Sequence, residues 1–172
     1  GDSNTTRWSV DATRMYPMID GTYDIGTAGT RVKDLYLSGG VYLGGTDAAN
    51  KLDSYEEGTW TLTDQSGAGM SLTVYVAEYT KIGNKVFFEI GMQFPTTSST
   101  ADLRLSLPFT AKATSDNTGG AALVGTDSGR TDLWLVLRNT AHISANTNLN
   151  TGVTNASYSG NQFKLQGAYT AA

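Results

Sequence analysis

Two three-residue apolar runs, each stopped by a glycine pair, set the hardest constraint on this chain. Leu35-Tyr36-Leu37 runs into Gly39-Gly40, and Val41-Tyr42-Leu43 runs into Gly44-Gly45. A strand of three residues cannot stand alone, since even a two-stranded hairpin is marginal in water. Glycine pairs after each run suit either tight turns or backbones packed closely together. Such a segment is expected to find its partners outside itself, and in a chain of 172 residues the expected source is other copies of the same chain. The pattern belongs to a fibre more than to an enzyme.

Composition narrows the class. The length allows one domain, or a small domain with an extended leader. A net charge of −4 leaves no basic stripe to neutralise phosphates, so nucleic acid is not an expected partner. Charged residues make up only 16% of the chain, while Gly, Thr, Ser and Asn are abundant. Without cysteine, neither disulfides nor thiolate metal sites form, and stability must come from packing and subunit association. No apolar run approaches the ~18 residues that span a bilayer, so membrane insertion is not expected. Gly1 is not a natural first residue, and the chain is expected to continue a longer protein.

Residues 1 to about 20 show neither a 3.6 nor a clean 2.0 period and read as extended chain and turns. Ser54-x-x-Glu57 has the spacing of a capping box and marks at most one helical turn, a connector. From Thr59 onwards the pattern is strands. Across Ser71–Lys81, Leu72, Val74 and Val76 are expected on one face and Tyr75, Ala77 and Tyr79 on the other. After Gly83-Asn84, the apolar set Val86, Phe88, Ile90, Met92 and Phe94 alternates with Lys85, Phe87, Glu89, Gly91 and Gln93. Further strands are expected over Leu103–Leu107, Ala121–Gly125, Leu133–Leu137, Ala141–Ser144 and Gln162–Tyr169, with an edge strand near Val153. Recurring short strands with turn signals between them predict an all-β head, a β-sandwich of jelly-roll type.

Catalytic constellations are sparse. His142 is the one histidine and has no adjacent acid, which favours a structural or surface role over a triad. Zinc would need more His or any Cys. Calcium at Asp47 or in the Asp127–Asp132 loop lacks a dense Asp repeat, so no metal or cofactor is expected. Glu56-Glu57 reads as cap and solvent contact. Glycoside hydrolysis needs only two carboxylates, and Glu78, Glu89, Asp127 and Asp132 are candidates, with Glu78 and Glu89 on neighbouring strands. The glycine pairs lack the following helix and Lys-Ser/Thr of a phosphate loop and are read as structural.

The stretch DIGTAGTRVKDLYLSGGVYLGG (24–45), followed by KLDSYEEGTW (51–60), resembles the shaft-to-head junction of tail fibre and receptor-binding proteins of tailed bacteriophages. The likeness is near-continuous from Pro17 to Trp60, with looser echoes at Tyr79–Asn84, Leu107–Thr110 and Phe163–Thr170. Val32 stands where those proteins usually have tryptophan, and Leu62 where they usually have proline; both bear on local packing. The resemblance implies a homotrimer: residues 1–57 as an intertwined stalk end and connector, and 58–172 as the sandwich head. Trp8, Tyr16, Leu35, Tyr36, Leu37, Val41, Tyr42 and Leu43 are then the candidate trimer-interface residues. The implied function is adsorption to a bacterial surface receptor, with a surface polysaccharide as the expected receptor, by a virion protein joined to the rest of its tail fibre, without enzymatic activity. A purely structural fibre component and a polysaccharide-degrading tailspike are the alternatives. Sugar recognition favours an aromatic face ringed by planar polar groups, and loops at the ends of a sandwich commonly carry both. That reasoning selects Arg130, Asp132, Trp134 and Tyr158 as candidate ligand contacts, with a subunit interface as the competing place for Trp134.

Overall fold

The computed structural model describes residues 6–112, 121–126, 133–137, 142–147 and 153–172. The expected all-β class holds: the described residues form twelve strands and two short 3-10 helices, with no α-helix. The chain divides into two compact units, Gly1–Ser38 and Gly39–Ala172.

In the first unit, β1 (Trp8–Val10) pairs antiparallel with β2 (Met15–Pro17), so a hairpin stands where periodicity predicted only extended chain and turns. Asp11 builds its turn. One carboxylate oxygen, Oδ1, accepts the Thr13 and Arg14 amides at 2.9 and 2.8 Å, and the other binds the Arg14 guanidinium at 2.9 Å. These hydrogen bonds, the Thr13 amide foremost, hold the Asp11 carboxyl below its ordinary pKa. Leu35-Tyr36-Leu37 forms no strand within this chain.

In the second unit, β3 (Val41–Tyr42) pairs with β4 (Lys51–Leu52) across the 3-10 turn Ala48–Asn50. This corrects the expectation that both Gly-flanked runs lack a partner in their own chain: the second run has one. Gly40 makes the pairing possible. Its φ is +87°, and a Cβ there would lie 2.5 Å from the Leu52 carbonyl oxygen. The connector is a strand rather than a helical turn, for β5 runs Tyr55–Thr59. Ser54-x-x-Glu57 therefore caps nothing, since no apolar helical stripe follows to reward a helix.

One eight-stranded sheet holds the remaining strands: β5, β6 (Thr73–Ile82), β7 (Lys85–Gln93), β8 (Arg104–Ser106), β9 (Ala121–Thr126), β10 (Leu133–Leu137), β11 (His142–Thr147) and β12 (Gln162–Thr170). Their order is β5-β6-β7-β12-β9-β10-β11-β8, and each neighbouring pair is antiparallel. The segment leaving β5 crosses from one edge strand to the other. Trp60 N donates to Ala77 O at 3.2 Å, Ser106 N to Thr63 O at 3.0 Å, and Gln65 N to Arg104 O at 2.9 Å. The two edges of the sheet are thus joined through residues 60–65.

The β7 alternation appears as read: Val86, Phe88, Ile90, Met92 and Phe94 are all buried. Each such side chain contributes about 1.5–3 kcal/mol relative to exposure, so a one-residue slip forfeits on the order of 10 kcal/mol. Leu103, Leu105, Ile143, Leu165 and Tyr169 fill the same core. The β6 reading needs correction. A bulge at Tyr75 takes the pairing from Val74↔Met92 directly to Val76↔Gly91, so Val74 and Val76 do not share a face. Near Val153 there is no strand. Val153 is buried, its carbonyl accepts the Leu103 amide at 2.8 Å, and the 3-10 helix Asn155–Tyr158 follows.

Candidate functional site

The outer face of β5, β6, β7 and β12 forms an open groove of about 620 Å³. Its chemistry follows from register. Directly opposed residues share a face, and two rows cross this one. Glu57, Thr80 and Phe87 make the first; Thr59, Glu78, Glu89 and Gln166 make the second. All seven line the groove.

The tight turn at Gly83-Asn84 fixes these rows, because it sets Ile82 opposite Lys85 and every later pair follows outward from it. Gly58 lets β5 lie against β6. A Cβ at Gly58 would lie 2.8 Å from the Tyr79 hydroxyl, which donates to Glu56 at 2.5 Å. That bond to Glu56 raises the Tyr79 pKa, with burial adding to it. Below, Tyr79 packs edge-on against Phe109 at 4.9 Å between ring centroids.

The groove's recognition groups are of two kinds. Phe87 is 49% exposed on a face otherwise largely polar and offers a ring for stacking. Glu57, Glu78 and Glu89 accept hydrogen bonds, Gln166 donates and accepts, and the threonines do both. Glu78 and Glu89 face each other directly, and neither joins an ion pair among the described residues. The surface suits a ligand rich in hydroxyl donors. Among the described residues no three His, Asp or Glu side chains are grouped to hold a metal ion.

The sequence-derived ligand residues fall elsewhere. Arg130 and Asp132 lie outside the described residues, as does Asp127. Trp134 lies in β10, in register with Leu123 of β9 and Asn146 of β11. Tyr158 is 2% exposed and belongs to the core, so it is no surface platform; the polarity of the 146–160 segment masked a buried anchor. His142 stands in β11 opposite Ser106, where burial and then the Arg104 charge push its pKa down. Of the acids considered for hydrolysis, Glu78 and Glu89 do come together.

Phe87, Thr59 and Gln166 were not selected from the sequence. For Phe87 a signal existed: it is an aromatic at the solvent-facing phase of a strand whose other phase is wholly apolar. Thr59 and Gln166 come from strands far apart in the chain and carry no local signal. Compared with models of known protein families, with curated proteins and with solved structures, the chain matches none of them.

Proposed function

We propose that this chain is the receptor-binding end of a tailed-phage tail fibre, which binds a bacterial surface glycan non-covalently in the groove of β5, β6, β7 and β12. The observation that carries the binding reading is the half-exposed Phe87 beside Glu57, Glu78, Glu89 and Gln166. A stacking ring next to convergent hydrogen-bonding side chains suits a sugar's apolar C–H face and its hydroxyl edge together. The fibre reading rests on the resemblance of residues 17–60.

Exposure supports the assembly. Twelve of the seventeen large apolar side chains exposed among the described residues lie between Val10 and Leu43. Tyr36 is 92% exposed and Leu35 70%. Exposed apolar side chains concentrated in one stretch of sequence in this way point to an interaction site, and identical copies of the chain are the proposed occupants, in a homotrimer. Trp8, Tyr16, Leu35–Leu37 and Val41–Leu43 form its interface, within a stalk that leads to a jelly-roll head and joins the rest of the fibre in the virion.

Competition for adsorption tests the function. The purified protein should block phage attachment to its host, and Phe87→Ala should weaken the block while leaving mass and melting unchanged. Full blocking by Phe87→Ala removes the groove from recognition. No blocking by the unsubstituted protein leaves a structural fibre component. The facing pair Glu78 and Glu89 favours a second reading, glycoside hydrolysis. Opposed positions put Cβ atoms about 4.5–5.5 Å apart, within reach of the separation that retaining glycosidases use. Release of reducing ends from host polysaccharide, lost in Glu78→Gln, decides for it.

A further inference from the structure

The groove does not end at Glu89. A second cavity of about 130 Å³ lies further along the same strands, and Glu89 lines both. Tyr75, Val76, Gly91, Gln162 and Lys164 line the second one. Val76, Gly91 and Lys164 form a third cross-strand row, two residues beyond the row of Glu78 and Glu89. Three features shape this end. Gly91 leaves the row without a central side chain, and a Cβ there would touch Val76 only at an ordinary 3.6 Å. The bulge puts Tyr75 on the groove's flank, 59% exposed, with its hydroxyl accepting from Gln162 Nε2 at 3.4 Å. Lys164 brings the one cationic side chain among the described residues lining the two cavities.

We propose that the two cavities form a single track that takes a linear oligosaccharide lying along β6 and β7, stacked on Phe87 at one end and on Tyr75 at the other. This rests on the glycan reading above and specifies the ligand. Rows two residues apart repeat every ~6.8 Å, so the outer rows lie ~14 Å from each other, the length of about three hexose rings. The middle of the track presents Glu78 and Glu89 and therefore rejects an anionic central sugar. An acidic substituent is accepted only at the Tyr75 end, beside Lys164.

Binding of fragments one to six sugars long, prepared from neutral and from uronic-acid-bearing bacterial surface polysaccharides, tests this by titration calorimetry with the full chain. Affinity should rise up to about three units and then level off. Phe87→Ala and Tyr75→Ala, both at exposed positions, should each weaken trisaccharide binding about three- to tenfold. Gly91→Leu should fill the second cavity and shorten the preferred fragment. Lys164→Gln should weaken only fragments with an acid at one end. If a single sugar binds as tightly as three, or if Tyr75→Ala leaves trisaccharide affinity unchanged while Phe87→Ala lowers it, the track is wrong and the groove reading stands. If no fragment binds at all, both fall.

Discussion

Glu78 of β6 and Glu89 of β7 stand directly opposite each other on the outer face of one hairpin. Like charges so placed weaken an antiparallel pair. Glu78→Gln is therefore expected to stabilise the fold by about 0.2–1 kcal/mol while weakening ligand binding. The gain should shrink as salt is raised, because both groups face solvent. Urea midpoints at low and high salt measure it. A midpoint that falls would show that the pair does not repel.

Tyr169 carries an alkaline signature. Its hydroxyl donates to Phe109 O at 2.8 Å and accepts from Phe109 N at 3.0 Å. Burial pushes its pKa up to about 12, against a smaller downward pull from the Phe109 amide. A tyrosine that holds its proton longer when folded stabilises fully below the unfolded pKa of about 10, and that stability is lost as pH climbs through 12. Tyr169→Phe should cost about 1–3 kcal/mol at neutral pH by leaving two backbone groups unpaired. It should also flatten the decline in melting temperature above pH 10. An unaltered alkaline slope would assign that decline to other groups.

Gly40 and Gly44 make a matched pair for the β3–β4 junction. Both have positive φ, +87° and +75°, but of the two only Gly40 has neighbours within 4 Å of where a Cβ would sit. Gly44→Ala should lose about 1 kcal/mol from conformation alone, and Gly40→Ala should lose more, because the Leu52 carbonyl must move. Equal losses in thermal unfolding would mean that the backbone yields freely there.

Tyr36 and Leu35 separate a trimer from a lone chain. In an isolated subunit, substituting side chains this exposed changes stability by no more than about 0.5 kcal/mol. In the proposed trimer, Leu35→Ser with Tyr36→Ser should lower both the mass in solution, read by light scattering, and the melting temperature. A stable monomer near 18.2 kDa for the unsubstituted chain would dismiss the interface.

Strict alternation made the β7 core legible, since burial on one face leaves a period of two in the residues themselves. The facing of Glu78 and Glu89 was nearly legible too, as both lie five residues from the tight turn at Gly83-Asn84. The bulge at Tyr75 was not, because one inserted residue keeps the alternating letters while reversing their faces. The Trp8–Pro17 hairpin escaped because its strands are three residues long and its turn rests on a carboxylate, Asp11, rather than on glycine. Joining of the sheet edges by residues 60–65 depends on partners some forty residues away. Tyr158 misled because a polar neighbourhood in sequence surrounds a core position in space.

The placement of β12 between β7 and β9 bears on how the protein is made. A ribosome delivers this strand after the other seven of the sheet, yet it belongs in the sheet's interior. Until Gln162–Thr170 has emerged, β7 and β9 keep unpaired edges, and edges of that kind recruit foreign strands. A nascent chain must therefore wait rather than fold piecemeal, and a premature stop ahead of Gln162 would yield an aggregation-prone product instead of a shorter native one.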